Sequence, residues 1–284
     1  MWGEGGTSDL VCLARQAASQ RFDTQRMKLE FKALLRCFLP RSINKHHILG
    51  GPIRGYRIVT SWHDYPAAIT GRTERPLLDW FAENAKSGET WLDIGAHYGY
   101  TAIALSRLVG KEGRVFAFEP MISTAGYVSQ TRQLNDFPQL IVLPLGLASP
   151  ETLEMKQLPV TRGMVDSTIE RTTNHAPRTE WLENIMVARF DWLWQQICGK
   201  NDRIDGVKID VQGMEIEVLR GMMETLRRQE PKLVVEVHRS VNRKDLLDMI
   251  ETAGYSRRAT PIEPVEGEVM PLYVDDRSYA FQLL

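Results

Sequence analysis

The stretch Thr90-Trp91-Leu92-Asp93-Ile94-Gly95-Ala96-His97-Tyr98-Gly99 decides the fold. A short, largely apolar run ends at a glycine turn. An amphipathic segment then runs from Tyr100 to Val109, with Ile103, Ala104 and Leu108 on one face. Strand, tight turn and helix in that order begin a βαβ unit. In an open parallel sheet, ligands bind beyond the carboxyl ends of the strands, where the strand order switches. Glycines at 95 and 99 let the backbone pass close to a ligand, and the following helix offers free N–H groups at its start.

The same alternation continues outward. Arg114 to Phe118 reads as a strand, 121 to 135 as a helix, and Leu140 to Leu143 as a strand. Gly206 to Asp210 is the next strand, Glu215 to Arg228 a helix, Lys232 to Val237 a strand, and Asn242 to Ala253 a helix capped by Gly254. Tyr279 to Leu284 supplies a final strand, and Thr73 to Ala85 a helix ahead of the whole series. This pattern predicts an α/β fold with a parallel sheet and helices on both faces.

The glycine spacing is G-x-x-x-G rather than the G-x-G-x-x-G of a pyrophosphate turn. Asp93, just ahead of the turn, would repel a phosphate and suits a cationic ligand such as the methionine end of S-adenosylmethionine. Glu119 closes the second strand in Phe118-Glu119-Pro120. A carboxylate there can accept both hydroxyls of a ribose, by the geometry that dinucleotide enzymes use.

Two further sites lie at later strand ends. Asp210, in Lys208-Ile209-Asp210-Val211-Gln212-Gly213-Met214-Glu215, ends a buried strand and points toward the ligand crevice. Glu215 reads as a charge at a helix start. In Val235-Glu236-Val237-His238 the period of two puts Glu236 and His238 on one side of the strand. If that strand neighbours the one ending at Asp210, three ionisable groups converge. They form either a general-base cluster or a carboxylate–imidazole metal site, and the base is the favoured reading.

Composition limits the alternatives. A chain that is 43% hydrophobic and 25% charged is ordinary for a globular protein. The formal net charge of −1 steers it neither to nucleic acid nor to an anionic membrane. Cys12, Cys37 and Cys198 are odd in number and widely spaced, so no disulfide framework or zinc pattern follows, and a reducing cytoplasm fits. No basic-then-apolar leader opens the sequence, and no run approaches a membrane span.

Residues 1–65 are expected to be an extension. It comprises a helix over about 21–39, which offers a surface for a homodimer, and a small strand or hairpin over Ile53 to Thr60. Residues 66–284 make the main domain. It is interrupted at about 150–190 by an insertion, partly stranded at Thr152 to Leu158 and Ile185 to Phe190, that suits a substrate lid.

The ordered set of motifs resembles the FkbM family of methyltransferases. The likeness rests on Pro66 through Gly71 to Glu74, LDIGAHYGYTAIAL, FAFEP, RFDWL, VKIDVQGMEIEVLRG and LVVEVH, and covers roughly residues 56–284. It implies a Rossmann-like class I methyltransferase fold, with a seven-stranded, mostly parallel sheet whose last strand is antiparallel. It also implies S-adenosylmethionine as cofactor and transfer to hydroxyls of sugars, polyketides or other secondary metabolites. Carried onto this sequence, it assigns Asp93, Gly95, Gly99 and Glu119 to the cofactor. Glu74, His97, Tyr100, Thr101 and Pro120 are expected around it, and Asp210, Glu236 and His238 at the reaction site. Position 97 is His where many members carry Asn, so its protonation matters. The rival readings are N-methylation, a catalytically silent binding module on the same fold, and a nicotinamide-dependent oxidoreductase, which the glycine spacing disfavours.

Overall fold

The computed structural model describes residues 38–160, 181–198, 202–263 and 275–284. The helix expected over 21–39, and with it the homodimer surface, lies outside the described residues up to the turn at Phe38 and Leu39.

The described chain opens with an antiparallel hairpin, β1 (Asn44–His47) and β2 (Arg57–Thr60). Two helices follow, α1 (Pro66–Thr70) and α2 (Arg75–Asn84). Thr73 and Glu74 therefore precede the helix that was expected to include Thr73; Glu74 has a left-handed backbone (φ 52°) at the N-cap of α2. The regular alternation is β3 (Thr90–Ile94), α3 (Tyr100–Val109), β4 (Arg114–Phe118), α4 (Ile122–Leu134) and β5 (Leu140–Leu143).

The insertion contributes β6 (Gly146–Ala148), β7 (Leu153–Val160) and β8 (Trp181–Arg189), paired in the order β6-β8-β7. Phe190, expected at a strand end, instead begins helix α5 (Phe190–Ile197). Then come β9 (Gly206–Ile209), α6 (Glu215–Gly221), α7 (Met223–Gln229), β10 (Lys232–Val237), α8 (Arg243–Thr252), β11 (Tyr255–Pro261) and β12 (Arg277–Leu283).

The segment from Glu215 to Arg228, expected as one helix, is two. Gly221 packs so closely on the chain that a Cβ there would stand 1.9 Å from the Ala148 carbonyl oxygen, and the helix breaks at Met222. The expected cap on the last helix is observed: Asn242 accepts from the Lys244 and Asp245 amides, and Gly254 follows with φ 96°.

The main sheet has seven strands in the order β11-β12-β10-β9-β3-β4-β5. β12 runs antiparallel to β10 and to β11, while β10, β9, β3, β4 and β5 are mutually parallel. This is a Rossmann-like, seven-stranded and mostly parallel sheet whose last strand is antiparallel, as the resemblance implies. β11 was not expected: Tyr-Ser-Arg-Arg-Ala-Thr-Pro shows no apolar alternation, and the strand forms at the sheet edge against β12.

The period of two sorts the side chains onto two cores. Leu92, Ile94, Phe116 and Phe118 share one cluster with Phe190, Trp194, Leu219 and Leu246 from the helices on that face. Trp91, Val115 and Ala117 join Leu77, Leu78, Phe81 and Ile103 on the other. Each such large apolar side chain contributes about 1.5–3 kcal/mol on burial. Ile48, Ile53 and Ile58 of the hairpin region belong to this second cluster, so the hairpin is packed into the main body.

The strand order switches between β3 and β9, where the parallel connections leave in opposite directions. The loops after Ile94 and Ile209 therefore face each other across the crevice that such sheets use for ligands.

Candidate active site

The register between β3 and β9 explains the centre of the site. Asp93 pairs with Lys208 and Ile94 with Ile209, so Asp93 and Lys208 point from neighbouring strands to the same face. The Lys208 ammonium is buried and lies 3.1 Å from Asp93 Oδ1 and 3.3 Å from Asp210 Oδ2, and it donates to the Gly95 carbonyl at 3.1 Å. Burial opposes its charge, but Asp93 and Asp210 outweigh that and hold it well above the usual lysine range.

Asp93 also accepts from the Thr101 hydroxyl at 2.7 Å. It is fully buried beneath the loop, and its side chain braces the turn rather than bordering the cavity above.

The loop itself needs its glycine. Gly95 has φ 81°, and a Cβ there would stand 1.8 Å from the Asp210 carbonyl oxygen, so only glycine lets the two strand ends approach this closely. Gly99, at φ 85°, caps α3. Between them His97 also takes a left-handed backbone (φ 49°). Its imidazole packs edge-on to Tyr98 at 4.5 Å between ring centroids, and Nε2 makes no hydrogen bond among the described residues. Burial pushes its pKa down to about 4, so the ring is neutral at physiological pH.

Glu119 extends from the end of β4 into the loop. One carboxylate oxygen accepts from the His97 amide at 2.9 Å and the other from the Met121 amide at 3.1 Å. Burial pushes its pKa up to about 7, against the pull of those two amides.

A cavity of about 370 Å³ opens above these residues. Glu74, Gly95, His97, Tyr100, Thr101, Glu119 and Pro120 border it, as do Asp210 and Glu236. Gly99, Asp93 and His238 stand behind the wall. Leu158, Ile185 and Val187 from the insertion close one side.

The second group assembles through β10. Val235 pairs with Ile209, so the next residues, Glu236 and Asp210, lie side by side toward the carboxyl ends of the two strands. His238 follows β10 and is buried. Its Nε2 lies 3.6 Å from Asp210 Oδ1 and 3.5 Å from Glu236 Oε1. Nδ1 donates to Oε1 of Glu215 at 2.6 Å.

Glu215 begins α6, as expected, but is fully buried, and it also accepts from the Gly213 amide at 3.1 Å. Burial alone would discharge His238, but Glu215, Asp210 and Glu236 raise its pKa to about 9. Burial, with Asp210 alongside, pushes Glu236 up from the ordinary carboxylate range.

The structure thus brings the three residues of the expected reaction site together and sets beside them Lys208, which sequence reasoning missed, and Glu215, which it had read only as a helix-start charge. A lysine inside an apolar strand was the available signal for Lys208. Asp64 and Tyr65 also border the cavity, and Asp64 accepts from Ser61 at 2.7 Å and Tyr98 at 3.2 Å.

Comparison with known proteins identifies the family. The family model for the methyltransferase FkbM domain matches residues 93–257, more than half of the chain. A curated relative, the hexuronic acid methyltransferase AglP of Haloferax volcanii, is 28% identical over 201 residues, covering 70% of this chain and 77% of its own. Among solved structures, a methyltransferase FkbM from Methylobacillus flagellatus is 18% identical with a TM-score of 0.42, over 72% of this chain and 50% of that one. The fibrillarin of Aeropyrum pernix in complex with natively bound S-adenosyl-L-methionine is 15% identical with a TM-score of 0.42, over 85% and 88% respectively. The chain belongs to the FkbM family of methyltransferases.

Proposed function

We propose that the protein transfers the methyl group of S-adenosylmethionine to a hydroxyl oxygen of a small acceptor, a sugar or another hydroxylated metabolite. One observation carries this reading: Glu119 and the glycine loop border the same cavity as Asp210 and Glu236, so a cofactor end and an acceptor end share one chamber. The hexuronic acid acceptor in the name of the curated relative inclines the choice toward a sugar.

The bound cofactor would supply an electrophilic methyl on a sulfonium. The residues present fit it. Each Glu119 oxygen has accepted one backbone N–H and retains a further acceptor position, enough for two ribose hydroxyls. The His97 Nε2 and the Tyr100 hydroxyl are buried with no hydrogen bond among the described residues and belong to residues that border the cavity. Gly95 and Gly99 shape the turn, Glu74, Thr101 and Pro120 complete the wall, and Asp93 acts from below through Thr101 and Lys208.

At the other end Asp210 takes the acceptor's proton. It borders the cavity, whereas His238 already holds its own proton at neutral pH. Glu236 and His238 keep Asp210 in place, and alignment of the acceptor oxygen does most of the work. Leu158, Ile185 and Val187, from the described parts of the insertion at about 150–190, cover one side of this cavity in the domain of residues 66–284. We read the acceptor as a small molecule, not nucleic acid, and the site of action as the cytoplasm.

The experiment is Asp210→Asn. Loss of the proton acceptor should lower kcat by about 10²–10⁴-fold, with S-adenosylmethionine affinity unchanged within about threefold. Retained turnover would overturn the assignment.

A further inference from the structure

We infer that Asp210, Glu236 and His238 form a divalent-cation site, with Glu215 as the residue that holds the imidazole in ligand form. The inference rests on the reading of these three groups as the acceptor end of the cavity and adds an ion to it.

The spacing is the first argument. One ligand atom from each of the three residues lies within 4.8 Å of the others. The Nε2 of His238 stands 3.6 Å from Asp210 Oδ1 and 3.5 Å from Glu236 Oε1. Ligands about 2.0–2.2 Å from one ion, at octahedral or tetrahedral angles, lie roughly 3.0–3.6 Å from each other. The two imidazole–carboxylate separations match that range without backbone movement.

The second argument is an unmet polar atom. His238 has a side chain only 7% exposed, and its Nε2 makes no hydrogen bond among the described residues. Buried polar atoms rarely go without a partner. Nδ1 is already committed to Glu215, and a carboxylate behind a histidine is how proteins fix the tautomer and orientation of a metal-ligating imidazole.

The third argument is charge. Asp64, Glu74, Glu119, Asp210 and Glu236 all border the cavity, and the Lys208 cation among them is shared between Asp93 and Asp210. A divalent ion bound there would take the place of the proton that His238 otherwise carries between Asp210 and Glu236, beside the place where an oxygen-rich acceptor must sit. Two carboxylates and one imidazole are a donor set suited to Mn²⁺, Mg²⁺ or Zn²⁺.

The full-length protein, stripped with EDTA, would be titrated with MnCl₂, free Mn²⁺ being read by electron paramagnetic resonance and MgCl₂ added as competitor. The expected result is saturable binding of one ion per chain. Glu215→Gln should weaken it by roughly 10–100-fold, and Asp210→Asn with Glu236→Gln should abolish it while the circular dichroism spectrum is kept. Glu236→Gln alone, nearly isosteric, serves if the double variant misfolds. No saturable binding below about 1 mM, or binding that the double variant leaves intact, overturns the site. Methyl transfer that persists in EDTA with no Mn²⁺ bound rejects the ion and leaves O-methylation standing. Mn²⁺ binding without transfer to any hydroxyl supports the site and rejects the O-methylation reading.

Discussion

Replacing Glu119 by Gln separates cofactor recognition from folding. In the wild-type protein the two carboxylate oxygens are held by the His97 and Met121 amides, at 2.9 and 3.1 Å, and each keeps a position for a ribose hydroxyl. Gln retains one acceptor oxygen and turns an NH₂ toward a backbone donor. At least one charge-assisted hydrogen bond to the ribose is lost, and a second loses its charge. At about 1.5–3 kcal/mol for the first and less for the second, the total is roughly 2–4 kcal/mol. That corresponds to an increase of roughly 30- to 700-fold in the Kd for S-adenosylmethionine.

Isothermal titration at pH 8, above the pKa of about 7, compares the variant with an ionised wild-type carboxylate. Because burial raises the folded pKa, the neutral form favours folding. That contribution is full below the unfolded value of 4.5 and is lost as pH rises through about 7. A neutral Gln escapes the penalty at pH 8, which offsets the backbone amide that its NH₂ cannot accept from, so the Tm should not fall with the affinity. In the wild type, binding should weaken as pH falls below about 7, and Gln should remove that dependence. A Kd changed by less than about threefold, with the fold intact, would refute the ribose assignment.

Two other perturbations test the scaffold. Gly95→Ala places a Cβ 1.8 Å from the Asp210 carbonyl at a φ of 81° and should cost about 3 kcal/mol or more, seen as a fall of roughly 6–12 °C in Tm by calorimetry. Lys208→Met leaves Asp93 buried without its cation and should cost about 3–5 kcal/mol in urea unfolding, and adding Asp93→Asn should recover part of the loss.

Much of the architecture was legible because it repeats a local signal. Each apolar run followed by a glycine turn and an amphipathic stretch became a β-loop-α unit, and Glu119 could be placed from its strand end alone. What was illegible depends on neighbours. β11 carries Arg257 and Arg258 and a terminal proline, and becomes a strand only because β12 lies beside it. Glu215 looks like a helix-start charge until β10 brings His238 against it. Lys208 meets Asp93 only once β9 is known to sit next to β3, across a strand order that skips from residue 94 to residue 206. The break at Met222 lies beside the close approach of Gly221 to the Ala148 carbonyl, a contact that no local pattern announces.

The central claim is tested most directly by supplying S-adenosylmethionine with a deuterated methyl group alongside a panel of uronic acids, glycosides and other hydroxylated small molecules, and locating the label by mass spectrometry and NMR. A deuterated methyl ether should form on one acceptor, in step with S-adenosylhomocysteine and greatly slowed in Asp210→Asn. Label on nitrogen or carbon, or no consumption of S-adenosylmethionine with any hydroxylated acceptor, would contradict it.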